Sequence, residues 1–166
     1  GHMKIALIST FDRNGGAAIA ALRLHKGLRS LEQDSGMLVM KKSGQDPHVR
    51  QLDPPDGTFR WKEEIFRLIE RQVFSEKRTE LSNTRFSLPY PGHDLSRHLL
   101  VQGADIINLH WVALFQSVES VAALLEAGQP VVWTLHDMNP FSGGCHYPAG
   151  CSGYRGDCRD CPRVTT

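Results

Sequence analysis

No stretch of this chain approaches the roughly 18 apolar residues of a membrane-spanning helix. The opening run Lys4-Ile5-Ala6-Leu7-Ile8 is too short for the apolar core of a secretion signal, and no small-residue cleavage site follows it. Charge of one sign is lacking too: 19 Lys and Arg stand against 18 Asp and Glu, a net charge of +1. Such a balance gives no broad field to draw in nucleic acid, and mixed charges of this kind read as solvated faces. Internal repeats, low-complexity tracts and the G-x-G-x-x-G dinucleotide fingerprint are absent. What remains is a chain of 166 residues, 40% hydrophobic and 22% charged, enough for one domain with a real core. A cytoplasmic protein without a nucleic-acid partner is expected.

Gly1-His2 ahead of Met3 reads as a remnant of tag cleavage and is set aside. Lys4 to Thr10 is a buried-strand candidate, Phe11 to Gly16 a loop, and Asn14-Gly15-Gly16 launches a helix through about Leu31. Ala17, Ala21, Leu24, Leu28 and Leu31 recur at helical spacing and predict its inner face; Arg23, Lys26 and Arg29 would lie outward. Met37 to Met40 predicts a second strand, and Val49 to Leu52 a short one. A helix is predicted from Phe59 to about Lys77, with Trp61, Ile65, Leu68, Ile69 and Val73 on one face. Asp94 reads as the cap of a short helix through Leu100. Ala104 to Trp111 and Pro130 to Leu135 are strands flanking a helix from Ser117 to Ala127, stopped by Gly128. This alternation predicts an α/β fold with a mostly parallel sheet and helices on both faces.

Three constellations could carry chemistry. Gly15-Gly16 follows the first strand and opens a helix, whose free N–H groups and positive dipole end suit phosphate or carboxylate; a tight turn needing positive φ is the plainer alternative. His136-Asp137 ends the strand at Leu135, and His110-Trp111 ends the strand before it. In neighbouring parallel strands both histidines would share one rim, where an imidazole can titrate near neutrality and donate hydrogen bonds; satisfied structural histidines are the alternative, most of all for His110, which could merely pack under Trp111. Four cysteines, Cys145, Cys151, Cys158 and Cys161, follow in the spacing C-x5-C-x6-C-x2-C. In a reducing compartment such a set predicts a structural tetrahedral zinc site, with His146 as a substitute ligand; disulfides and free thiols are the alternatives. Trp61, Phe66 and Phe74 read as core. The basic residues between Arg60 and Arg78 are offset by Glu63, Glu64, Glu70 and Glu76, which makes a peripheral membrane contact through this helix the lesser expectation.

Taken together, the chain resembles the N-terminal domain of bacterial GT-B glycosyltransferases of the family 4 group that builds surface polysaccharides. The resemblance lies in residues 3–8, Gly15-Gly16-Ala17-Ala18, residues 104–111, residues 131–138, and the tract from Gly143 through Cys145-His146 to Cys161-Pro162. It covers nearly the whole chain, and the tract from His136-Asp137-Met138 to Cys161-Pro162 is its most specific part. The resemblance implies a Rossmann-like acceptor-side domain over residues 3–142, a Cys-rich loop over residues 143–166, and a C-terminal donor-binding domain beyond. It implies a retaining transfer of sugar from a nucleotide-sugar donor to a glycan or lipid-linked acceptor, at the inner face of the cell membrane. Gly15 and Gly16 would lie near the donor diphosphate. His136 would be the catalytic residue against the transferred sugar, with Thr134, Asp137 and His110 as further substrate contacts. The family's Glu-x7-Glu signature is absent, since no two glutamates here stand eight apart. The chain is therefore expected to be a piece of a longer enzyme, inactive alone. An NAD(P)-binding oxidoreductase domain and a non-enzymatic zinc-containing interaction module are the alternatives.

Overall fold

The structure, a computed structural model, describes residues 1–53, 64–66, 68–72, 85–159 and 161–162. Among them, β1 (Lys4–Phe11), β2 (Asp34–Lys41), β3 (Val49–Gln51), β4 (Ile106–Leu109) and β5 (Val131–Trp133) form one sheet in the order β3-β2-β1-β4-β5. Every pairing in it is parallel. β1 and β2 each bury six successive residues, because a central parallel strand is covered on both faces; hence their continuous apolar runs in place of alternation.

The covering elements are α1 (Gly16–Ser30), α2 (Leu99–Gln102) and α3 (Val118–Glu126). On one face Ile5, Leu7, Met37 and Val39 pack with Ala21 of α1, and Leu22 and Leu28 close the edge. On the other, Ala6, Ile8, Leu38, Ile107 and Leu109 pack with Val101 of α2, Leu124 of α3 and Phe115. Burial of a Leu, Ile or Phe side chain contributes roughly 1.5–3 kcal/mol, so these two clusters hold the layers together. The expected α/β architecture, Rossmann-like with helices on both faces, is the one the chain forms.

The local corrections have physical causes. The inner face of α1 is not the predicted leucine stripe: Leu24 and Leu31 are 41% and 71% exposed, while Ala18, Ala21 and His25 are buried. His25 takes an inner position because its Nδ1 meets the Ser35 hydroxyl at 2.9 Å. Burial lowers its pKa, partly opposed by Asp46. Asp94 caps no helix; its carboxylate accepts the Ser96 N–H in a local turn, and α2 starts at Leu99 under a His98 cap. Of the predicted helix from Phe59 to Lys77, residues 64–66 and 68–72 are helical, and the remainder, with Trp61, Val73 and Phe74, lies outside the described residues. Ile65, Leu68 and Ile69 are 44%, 60% and 42% exposed, so their face is not the packed one; Phe66 instead stacks on Tyr90 at 5.0 Å.

The strand order places the site. After β1 the chain winds outward through β2 and β3, then returns to the other side of β1 for β4 and β5. The connections leaving β1 and β4 therefore diverge and open a crevice at the strands' carboxyl ends, where open α/β sheets bind ligands.

Candidate functional site

At that crevice lies an open cleft of about 610 Å³. One wall is the turn and first residues of α1, from Asn14 to Ala18. The facing wall carries Trp111, His136, Asp137, His146, Tyr147 and Arg85. Ser9 and Phe11, at the end of β1, also line it.

The α1 wall is built from backbone. Gly15 caps the helix at φ 92°, in the left-handed region where a side chain is strained. No side chain caps α1, and its first turn holds no acidic residue, so its leading N–H groups and positive dipole end are left to the cleft. Gly16 has no such strain, and a Cβ there would meet open space. The two glycines should therefore separate. Gly15→Ala is expected to destabilise by about 1–2 kcal/mol in chemical denaturation, whereas Gly16→Ala should leave stability unchanged. Equal losses at both positions would refute this account of the turn.

The facing wall rests on a hydrogen-bonded chain. His146 is 1% exposed. Its Nδ1–H donates to Asp137 Oδ2 at 2.5 Å, and its Nε2 is hydrogen-bonded with the Ser87 hydroxyl at 2.9 Å. Trp111 Nε1–H donates to the same Asp137 oxygen at 2.8 Å, and the Asn139 N–H supplies Oδ1 at 3.0 Å. Hydrogen bonds to a charged group contribute about 1.5–3 kcal/mol each, which fixes the Trp111 indole as a platform. Phe11 stacks against it at 6.2 Å, and the Arg85 guanidinium lies 4.7 Å from the ring centroid. The segment bearing His146 is tied in by an antiparallel bridge between Cys145 and Phe86, and by bonds from His146 N to Arg85 O and from Ser87 N to Gly144 O. Gly144 must be glycine: its φ is 137°, and a Cβ would stand 2.5 Å from the Phe86 ring.

His136 is half-buried, and its Nε2 lies 2.9 Å from His110 Nδ1 with the rings stacked at 5.2 Å. Burial, and secondarily the charge of His136, pushes the His110 pKa down to about 4. His110 is thus neutral at physiological pH and holds one ring proton. Its Nε2 is buried without a partner, and an orphaned N–H is rarer than an orphaned acceptor. We therefore assign the proton to Nδ1, donating to His136 Nε2. With Nε2 accepting, the ring proton of His136 falls on Nδ1, which has no hydrogen-bond partner among the described residues.

Gly15, Gly16, His136 and Asp137 thus line one cleft. His110, 3% exposed, and Thr134, whose hydroxyl accepts from Asn108 Nδ2 at 3.0 Å, do not line it and stand behind the wall as supports. Asp137 faces the cleft, but its carboxylate is engaged by three donors.

The zinc expectation is not supported. None of the four cysteines is in a disulfide, and among the described residues no group of three or more His, Cys, Asp or Glu could hold a metal ion. His146, the expected substitute ligand, has both ring nitrogens committed to Asp137 and Ser87. Among the described residues no helix is long and apolar enough to cross a membrane.

Sequence reasoning missed Ser9, Arg85 and the positioning role of His146. The partners of His146 lie 9 and 59 residues away, so no spacing rule could have found it. No family profile matches this chain, and no solved structure matches it significantly. It is similar to an Escherichia coli (strain K12) protein named as a colanic acid biosynthesis glycosyl transferase, WcaC, with 29% identity over 162 residues. The alignment takes in 90% of this chain and 37% of that protein, so this chain spans little more than a third of its relative's length.

Proposed function

We propose that this chain is the N-terminal, acceptor-side part of a retaining GT-B glycosyltransferase of the family 4 type, acting in polysaccharide synthesis. The intact protein would move a sugar from a nucleotide-sugar to a glycan or lipid-linked acceptor in the cytoplasm, at the inner face of the membrane. The observation that carries this reading is the convergence of the uncapped start of α1 and the imidazole of His136 on one cleft at the sheet's switch point. The similarity to WcaC supports the reaction class.

In this reading the N–H groups beyond Gly15 face the donor diphosphate, and closeness of approach is possible because neither Gly15 nor Gly16 carries a side chain. His136 Nδ1–H hydrogen-bonds the transferred sugar as positive charge develops at its anomeric carbon and the leaving diphosphate gathers negative charge. A donor fixed in advance gains most when the bond strengthens in the transition state. His110 keeps that donor in place by occupying Nε2. An NAD(P) site is disfavoured by the tip of β2, where Lys41-Lys42 stands in place of the acid that would bind a ribose. There the Ser43 and Gly44 N–H groups are already taken by the Asp12 carboxylate, at 2.8 and 2.7 Å.

The test is incubation of the intact protein with a panel of nucleotide-sugars and a lipid and glycan extract. Release of nucleoside diphosphate, together with a sugar-extended product, is expected. Failure to consume any donor above the rate of spontaneous hydrolysis would sink the transferase assignment.

A further inference from the structure

Two side chains of the cleft, Ser9 and Arg85, are not used by the chemistry above, and they face the start of α1 that is. Ser9 is 1% exposed, lines the cleft, and has a hydroxyl without a hydrogen-bond partner, a costly arrangement for a buried polar group. Arg85 lines the same cleft with its guanidinium over Trp111, and among the described residues no carboxylate pairs with it. The 15-residue helix α1 points its uncapped N-terminus into the same space. An arginine stacked on an indole keeps its planar fork of N–H groups free at the edge, the form suited to two phosphate oxygens. Asp137 is the sole carboxylate among the described lining residues, and its bonds to Trp111, His146 and Asn139 leave it no call on Arg85.

We propose that Arg85, held on the Trp111 platform, is the cationic side of a phosphate-binding site completed by the α1 N–H groups and the Ser9 hydroxyl. The ligand class is a diphosphate, borne either by a nucleotide or by a lipid carrier. Naming either carrier rests on the transferase reading; the anion site itself does not. Ser9 donates one hydrogen bond from the end of β1, the helix start supplies backbone donors, and Arg85 closes the opposite side.

Isothermal titration of the 166-residue chain with inorganic pyrophosphate at low ionic strength tests the site. Saturable binding is expected, weakened about tenfold or more by Arg85→Gln, since a charge-assisted contact is worth at least that factor. Arg85→Lys should fall between, because it keeps the charge and loses the planar stack. Arg85 is exposed, so neither substitution threatens the fold. Ser9→Ala is expected to weaken binding severalfold. No saturable binding by the unsubstituted chain, or equal affinity in Arg85→Gln, overturns the proposal. Further arms with uridine diphosphate and farnesyl diphosphate assign the carrier: the one that binds more tightly than pyrophosphate marks the site as nucleotide-side or lipid-side. Arg85-dependent pyrophosphate binding with no donor consumed by the intact protein would leave this site standing and remove the transferase.

Discussion

Replacing His136 by alanine in the intact protein is expected to lower kcat about a hundredfold or more, the usual consequence of removing one preorganised donor from a transition state. KM should change little, because the bond strengthens only as charge develops. Stability should change little as well: the ring is half-buried, and its described hydrogen bond is the one to His110. The proton assignment sharpens the expectation. If the working donor is Nδ1–H, then His136→Asn, whose amide nitrogen sits near the Nδ1 position, should retain more turnover than His136→Gln, whose nitrogen sits nearer Nε2. Steady-state kinetics on the three variants decide it. Unchanged turnover in the alanine variant would take His136 out of the site, and Gln outperforming Asn would reverse the tautomer.

The second large effect is an acid loss of stability centred on His110. In the unfolded chain an imidazole titrates near its ordinary value of 6.5, whereas in the fold His110 is pushed down to about 4 by burial and by His136. Between those two values the unfolded state binds the proton and the folded state does not. The His110 contribution to stability must therefore fall as pH drops from about 6.5 to about 4, and change no further below. At about 1.4 kcal/mol per pH unit the full loss from this one residue is about 3 kcal/mol. His25, whose pKa burial also lowers, acts in the same direction. Urea denaturation of the chain and of His110→Asn, at neutral pH and near pH 4.5, isolates the His110 share. The variant should show a flatter acid slope by about 2–3 kcal/mol over that interval. Identical slopes would mean that the buried ring is not what resists protonation.

Much of the fold was legible because central parallel strands write themselves as unbroken apolar runs. Residues 4–10 and 37–40 were readable for that reason, and the actual strands extend them by a residue at Phe11 and by several at Asp34 to Gly36. The Gly15 turn was readable because left-handed backbone favours glycine. The rotation of α1 was not, since His25 reads as a surface residue until Ser35 is known to stand opposite it. On the rim, His136 and Asp137 could be placed from the strand that carries them. What Asp137 does could not: its partners Trp111 and His146 come from other segments, and they convert an apparent ligand group into a brace. The four-cysteine spacing, read as a zinc site, finds no support among the described residues, where no group of three or more metal-ligating side chains gathers.

β1 pairs along seven positions with β2 and along four with β4, and it carries Ser9 and Phe11 of the cleft. Freeing its inner amides requires unzipping both ladders together, so the slowest-exchanging protons of the molecule belong directly beneath the cleft. A ligand arriving there meets a floor that opens only when the entire domain unfolds, and it need not supply free energy to organise it.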